Sequence, residues 1–187
     1  MRLFVAAVRE ELGDLPGETV GIGPIVAAAH AGSLLERLRP SSVVMVGTGG
    51  AYPGGPAIGS AIAAELVGMS YGVAVMGLGY VPRPPAPVHG DPATLDRLGL
   101  PRHHVLTTGA ITTDPTLARR LSDGWTVEHL EAYGVAIACR DLGIPFTAVL
   151  GISNVVGPEA HAQWLANRDA AQDAARAACR LLLEETP

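Results

Sequence analysis

The sequence contains no lysine, and all 13 of its basic residues are arginines. Walker-type phosphate loops, Schiff-base catalysis and pyridoxal phosphate chemistry each depend on a lysine amine. The absence of lysine therefore excludes all three classes of site. The accompanying richness in alanine, glycine and proline is typical of a GC-rich genome and carries no functional information.

Cysteines are few and long apolar runs are missing. Cys139 and Cys179 lie in helical patterns, and their spacing fits no metal site. No apolar stretch reaches the ~20 residues that a transmembrane helix needs, and the N-terminal MRLFVAAVREE becomes acidic too early for a secretory signal. We therefore expect a reduced cytoplasmic protein without a membrane partner.

Clustered positive charge is also lacking, since the net charge is −5 and the pI is near 5.6. A nucleic-acid partner would require such a cluster. The six histidines follow neither HExxH nor paired-ligand spacing. The sequence has no GxSxG elbow and no Cys–His pairing that would supply a covalent nucleophile. We predict no nucleic acid, no metal and no cofactor.

Apolar runs alternate with helical patterns along the chain. Its 187 residues are 48% hydrophobic and 17% charged, which fits one domain over residues 1–187 with a sizeable core. The alternation predicts an α/β fold, a three-layer domain with a central mixed, mostly parallel sheet flanked by helices. Strands are predicted at 2–8, 41–46, 103–113 and 144–153, and helices at about 24–38, 114–122, 127–143 and 158–185. The proline-rich residues 81–92 are predicted to be irregular.

Two glycine-rich segments follow predicted strands. GIGPIVA at 21–27 matches a loose dinucleotide fingerprint, but no strand-ending acidic residue follows about 20 positions on. A tight strand-to-helix turn is therefore favoured over a Rossmann oxidoreductase. GTGGAYPGG at 47–55 is predicted to be a loop whose glycines allow backbone to approach a ligand closely, with an ordinary loop as the alternative.

Four carboxylates are candidates for chemistry. Glu10 and Glu11 follow the first strand, where solvated side chains at a helix start are the alternative. Glu128 and Glu131 are predicted on one helix face, with Glu131 at its apolar border, where a carboxylate needs a partner. Sites in α/β folds lie at the carboxyl ends of strands. The groups expected there, which can share one pocket, are Glu11, 48–50, 108–113 and 153–154.

Five segments in order carry a family resemblance: AAVREEL, VGIGPIVAA, VVMVGTGGAYP, VEHLEAYGVAIACRDLGIPF and VLGISNVVG. With them the chain resembles the nucleoside phosphorylase/nucleosidase superfamily over most of its length. GGAYPGG, VEHLEA and GISNVVGPEAHAQW are most similar to the futalosine hydrolases, which remove hypoxanthine from futalosine in an alternative menaquinone pathway. The resemblance also implies a homo-oligomer in which a neighbour closes the 5′ side of the pocket, with residues 77–90 as the candidate lid or interface.

The resemblance implies a role for each matching residue. Glu11 corresponds to the general base that activates water, and Glu131 to the glutamate that binds the ribose hydroxyls. Further positions are implied to line the nucleoside: Thr48, Gly49, Gly50, Ile111, Thr112 and Leu130. Leu130 stands where the family usually has methionine, and Leu150 where many members carry arginine.

Ser153 and Asn154 match the Ser–Asp pair that receives the purine in adenine-specific members. An asparagine amide donates two hydrogens, which suits the O6 and N7 acceptors of hypoxanthine, and an unmet buried partner costs ~1–3 kcal/mol. Asn154 therefore favours a 6-oxopurine. Water is the expected nucleophile, because a phosphate would need cationic donors near the glycines. The residues that precede the glycines are the apolar VVMV, Arg39 is a strand away, and Glu11 would repel phosphate. An adenine nucleosidase (methylthioadenosine/S-adenosylhomocysteine), a phosphorylase and a non-catalytic nucleoside-binding module are the alternatives.

Overall fold

Strands and helices alternate along the chain in the computed structural model, which describes residues 1–183. The strands are β1 (Arg2–Ala6), β2 (Gly17–Thr19), β3 (Ser42–Ala51), β4 (Ala61–Met69), β5 (Val88–His89), β6 (Arg102–Thr107), β7 (Val127–His129) and β8 (Phe146–Val155). The helices are α1 (Arg9–Leu12), α2 (Pro24–Leu38), α3 (Gly72–Val75), α4 (Pro92–Leu98), α5 (Pro115–Leu121), α6 (Ala132–Asp141) and α7 (Ala160–Arg180).

All of these strands belong to one mixed sheet. Five of the eight strand pairings in residues 1–183 are parallel, which confirms a mixed, mostly parallel sheet in a single α/β domain. The sheet does not form a plain middle layer, however. Strand β8 pairs with both β3 and β4, and β7 joins β6 to β3, so β3, β8, β4, β6 and β7 close into a five-stranded barrel.

Helices cover this sheet on two sides. One apolar cluster joins β3 and β8 to α2 and α6, and a second joins β1, β3 and β4 to α4 and α7. The first halves of β3 and β8 are apolar apart from Ser42 and Thr147, because they are buried on both faces. Their second halves carry the glycines and polar residues, so packing of the first halves positions a polar site at the other end.

Several predicted boundaries are confirmed. Helix α2 spans Pro24–Leu38 with proline at its first position, and α5 begins at Pro115 after Asp114, whose carboxylate accepts from the backbone N–H of Leu117. Both cysteines lie buried and free in helices. The predicted terminal helix is α7, and residues 184–185 of that prediction lie outside the described residues.

Other boundaries were wrong, and for the strands the reason is that pairing between distant segments outweighed local pattern. Strand β3 continues through the predicted glycine loop to Ala51, since β7 and β8 hydrogen-bond to it there. Strand β8 likewise runs to Val155. Residues 88–89 form a short strand within the proline-rich segment, and α4 follows it unpredicted.

The predicted helix at 127–143 divides into two elements. Glu128 lies in β7, which pairs with β3 and β6, whereas Glu131 immediately precedes α6. The two carboxylates therefore do not share a helix face. None of the helices in residues 1–183 has both the length and the apolar character that crossing a bilayer requires.

Candidate active site

Glu11 is a buried carboxylate at the carboxyl end of β1. Its side chain is 8% exposed. One oxygen, Oε2, accepts from the backbone N–H of Ala7, and the other, Oε1, accepts from that of Thr48, both at 3.2 Å. Burial, followed by the negative charge of Glu131, raises the pKa of Glu11 to about 7, although these N–H groups oppose the rise. A carboxylate with this pKa can take a proton from water near neutral pH.

Glu131 lies buried between β7 and α6. Its Oε1 accepts from the backbone N–H of Gly23 at 2.8 Å. Gly23 precedes α2 with a positive φ of 88°, which glycine adopts without strain. This confirms the strand-to-helix turn predicted for GIGPIVA and gives it a second role, since it holds a site carboxylate at the start of a helix.

His129 separates the two carboxylates and is buried, with 4% of its surface exposed. Its Nδ1 lies 3.1 Å from the backbone nitrogens of both Glu131 and Ala132, so Nδ1 accepts and carries no proton. Burial lowers the imidazole pKa, and the charge of Glu131 only partly opposes this. The ring is therefore neutral with its proton on Nε2, and the 3.4 Å approach of Nδ1 to Glu131 Oε2 is not an ion pair.

Gly47 lies close to both His129 and Glu11, and its lack of a side chain lets both groups approach. A β-carbon on Gly47 would lie 3.1 Å from Nε2 of His129 and 3.2 Å from Oε1 of Glu11. Gly50, further along β3, is close to the amide: its β-carbon would lie 2.7 Å from Nδ2 of Asn154. The segment predicted to be a glycine loop is the second half of β3, and functional groups converge on it.

Asn154 lies near the end of β8, just after a shift in its register with β3. Gly49 is paired with Ile152 but Gly50 with Asn154, so Ser153 is an extra residue at a bulge. The Ser153 hydroxyl lies 2.8 Å from Asn154 Oδ1, and Asn154 Nδ2 lies 3.3 Å from the carbonyl of Val155. This pairing orients the amide with Oδ1 towards Ser153 and its NH₂ over Gly50.

Comparison with known proteins decides the family. The phosphorylase superfamily matches residues 16–185, which is most of the chain. The chain belongs to this superfamily. The resemblance drawn from the five sequence segments is thus confirmed.

Two curated relatives and one solved structure illustrate the membership. The futalosine hydrolase of Thermus thermophilus is 30% identical over 186 residues, covering 88% of this chain and 80% of its own. The 5′-methylthioadenosine/S-adenosylhomocysteine nucleosidase of Anoxybacillus flavithermus is 27% identical over 174 residues, covering 81% and 75%. The solved futalosine hydrolase of Helicobacter pylori has a TM-score of 0.86, covering 99% of this chain and 97% of its own; at 14% identity it shows the fold alone.

Within this superfamily fold, the segment 108–113 is fastened to the sheet by Glu128, a candidate carboxylate to which the resemblance assigned no role. The buried Glu128 carboxylate accepts from the backbone N–H of Thr112 at 3.0 Å, from its hydroxyl at 2.5 Å, and from the Tyr52 hydroxyl at 3.2 Å. Both polar groups of Thr112 are therefore used internally. Ile111, the other position predicted to line the base, is 53% exposed.

Helix α7 brings to the site a residue that sequence reasoning did not select. The Trp164 indole N–H donates to the hydroxyl of Thr48 at 3.3 Å. On its other sides, the His161 ring stacks with it at 5.9 Å and the Arg168 guanidinium lies 5.2 Å from its centre. The only sequence signal for this contact was the tryptophan at the end of GISNVVGPEAHAQW.

The predicted site residues are thus largely brought together. Contacts along β3 link Glu11, Thr48, Gly49, Gly50, Ser153 and Asn154. Glu131 joins them through His129, and its charge acts on Glu11. Leu130 is half-buried between His129 and Glu131, whereas Leu150 is fully buried in the core.

Proposed function

We propose that the protein is a nucleosidase that hydrolyses the bond between a 6-oxopurine and ribose, with futalosine as the substrate and hypoxanthine as the released base. The observation that carries hydrolysis is the buried Glu11 carboxylate with a pKa of about 7. The T. thermophilus relative, a futalosine hydrolase at 30% identity, supports the choice of substrate.

In the proposed reaction, water attacks C1′ of the ribose and gives a proton to Glu11. The C1′–N9 bond breaks, its electron pair leaves with the purine, and the purine takes up a proton. A positioned base typically contributes ~10²–10⁴-fold. Glu131 would hold the ribose hydroxyls and place its charge near the developing oxocarbenium ion, which stabilises the transition state.

The purine is assigned to Asn154. The NH₂ group lies beside Gly50, and one of its hydrogens points to the carbonyl of Val155 at 3.3 Å. Its other hydrogen can donate to O6 or N7 of hypoxanthine. The Ser153 hydroxyl supports this orientation by donating to Oδ1. An ionised aspartate would present only acceptors to O6.

An adenine nucleosidase is the second candidate, because the A. flavithermus relative is a methylthioadenosine/S-adenosylhomocysteine nucleosidase at 27% identity. Phosphorolysis is less well supported. Glu11 would repel a phosphate dianion, and Arg39 caps α2 at the end opposite Gly23, roughly 20 Å away for a helix of this length.

The proposal includes a homo-oligomer, a cytoplasmic location and a place in menaquinone synthesis. Exposed apolar side chains support an oligomer: Ile22 and Ile25 lie at the start of α2, and Leu78 and Tyr80 lie in the candidate lid at 77–90. The location and the pathway stay predictions from the cysteines and the resemblance.

Purine release from futalosine, inosine and methylthioadenosine, each with and without phosphate, tests the proposal. We expect hypoxanthine from futalosine at a rate that phosphate does not change. Faster adenine release from methylthioadenosine would favour the second candidate, and dependence on phosphate would indicate a phosphorylase. Binding without purine release from any substrate would contradict an enzyme.

A further inference from the structure

The imidazole of His129 has one nitrogen with a structural role and one without. Nδ1 accepts from the backbone N–H groups of Glu131 and Ala132. No acceptor for Nε2 is found in residues 1–183. The one fully buried side-chain nitrogen or oxygen without a partner in that range is Nε of Arg2. Nε2 of His129 is therefore not fully enclosed and remains accessible beside Gly47, although only 4% of the residue is exposed.

This free donor and the proposed base face the same point. The position of a Gly47 β-carbon lies within 3.1 Å of His129 Nε2 and 3.2 Å of Glu11 Oε1. The two atoms therefore lie no more than about 6 Å apart, a separation that one water oxygen can bridge with two hydrogen bonds. Glu11 accepts one hydrogen of that water, while Nε2–H donates to one of its lone pairs.

We propose that His129 positions the attacking water, with its Nε2–H donating to the water oxygen and Glu11 accepting a water hydrogen. This rests on the proposed hydrolysis. The water's second lone pair then forms the bond to C1′, and its proton passes to Glu11. His129 gains and loses no proton, so it is a positioning residue.

A neutral donor suits this place better than a cation would. A positive charge beside Glu11 would favour its ionised form and make it a weaker base. The neutral imidazole orients the water without that effect. Its ring is fixed because two N–H groups at the start of α6 hold Nδ1, so the proton stays on Nε2 and points towards Gly47.

The competing explanation is that His129 only caps the first turn of α6. Two variants separate these roles. In His129→Asn, the side-chain carbonyl can replace Nδ1 as the acceptor for Glu131 and Ala132, but nothing replaces Nε2–H. In His129→Gln, the amide nitrogen can reach the position of Nε2, while the acceptor near the backbone is lost.

Steady-state hydrolysis and thermal unfolding of both variants give the test. We expect His129→Asn to lower kcat by about 10- to 100-fold, with KM within about threefold of wild type and an unchanged Tm. His129→Gln should retain more kcat than His129→Asn despite a lower Tm. The reverse order, with His129→Asn fully active and His129→Gln impaired, would overturn the proposal and leave only the capping role.

A measurement that needs no activity completes the test. Nitrogen-15 NMR of the histidine rings, assigned by comparison with His129→Asn, should show His129 as the neutral Nε2–H tautomer at neutral pH, with its Nε2 resonance shifted by Glu11→Gln. An Nδ1–H tautomer would overturn the proposal. If the wild type is active and His129→Asn has a normal kcat, only the role of His129 is refuted. If the wild type releases no purine, the proposed function is refuted together with this role.

Discussion

Glu11 and Glu131 form a pair of buried carboxylates in which each is held by backbone N–H groups of a different segment. Glu11 accepts from Ala7 and Thr48, and Glu131 accepts from Gly23. The charge of Glu131 is the second cause, after burial, of the raised pKa of Glu11. Glu11 can therefore titrate near neutrality beside the negative charge of Glu131.

The first prediction concerns the pH dependence of the reaction. Because Glu11 must be ionised to accept a proton and its pKa is about 7, kcat/KM should fall about tenfold for each pH unit below 7 and level off above it. Glu131→Gln removes a neighbouring negative charge, so the acidic limb should move to lower pH. Rate profiles of both proteins from pH 5 to 9 check this. A limb that does not move would show that Glu131 has no effect on Glu11.

The second prediction concerns stability. Because the folded-state pKa of Glu11 lies above its ordinary value, ionisation of Glu11 disfavours the folded state. The wild type therefore loses stability as pH rises from about 4.5 to about 7. The stability of Glu11→Gln relative to wild type should therefore increase by about 1–3 kcal/mol between pH 5 and pH 8. Urea unfolding at both pH values measures it. The contribution of His129 cancels in the difference, and a pH-independent difference would mean that Glu11 has an ordinary pKa.

The third prediction concerns base choice. Asn154→Asp should raise the rate with adenine nucleosides relative to 6-oxopurine nucleosides by about ten- to a hundredfold, because the carboxyl group can accept from the exocyclic amine. Ratios of kcat/KM for inosine and adenosine measure the change. Asn154→Ala is the matched control, since it should slow both substrates without reversing the preference. An unchanged ratio in Asn154→Asp would remove Asn154 as the selector.

The fourth prediction concerns the space beside Gly47. Gly47→Ala should lower kcat by at least about tenfold while the protein still folds, because the new methyl group would lie within 3.2 Å of both His129 Nε2 and Glu11 Oε1 and displace the two groups proposed to hold the water. Gly32→Ala in α2 is the control. Its β-carbon meets nothing within 4 Å, and it should raise stability by about 0.5–1 kcal/mol with unchanged kcat. Full activity in Gly47→Ala would place the water elsewhere.

The fifth prediction concerns the Glu128 contact with segment 108–113. Thr112→Val should cost about 1–3 kcal/mol of unfolding free energy, since it removes a donor from a buried carboxylate. The exposed neighbour Thr113 provides the comparison, and Thr113→Val should change stability by less than about 0.5 kcal/mol. Urea unfolding measures both. Equal effects of the two substitutions would mean that the Glu128 contact does not fasten the segment.

Most features that depend on neighbours in the chain were predictable, although α4, which Asp91 caps, was missed. Proline and aspartate at helix starts placed α2 and α5 correctly, since capping is decided within one turn. The strand-to-helix turn at Gly23 was also predicted. A pattern of this kind placed Glu11 at a strand end. The family resemblance then indicated Glu131 and Asn154 as further residues of the same site.

Features that depend on pairing between distant segments were not predictable. VEHLEAYGVAIA has a helical period throughout, yet β3 and β6 pair with residues 127–129 and hold them as a strand. The same pairing turns Glu128 towards Thr112 and brings His129 to the first turn of α6, where its ring faces Gly47. No spacing in the sequence indicates that a histidine meets a glycine 82 positions earlier.

The sequence by itself determined the α/β class, the family and three candidate groups of the site, Glu11, Glu131 and Asn154, because apolar periodicity, caps and residue types are properties of short segments. Only the tertiary structure decided what each group does. Pairing of β1 with β3 buries Glu11 against Thr48, and burial with the negative charge of Glu131 raises its pKa to about 7. The bulge in β8 orients the Asn154 amide, and the start of α6 fixes the proton of His129 on Nε2, since both depend on hydrogen bonds that form only when the strands and helices have assembled.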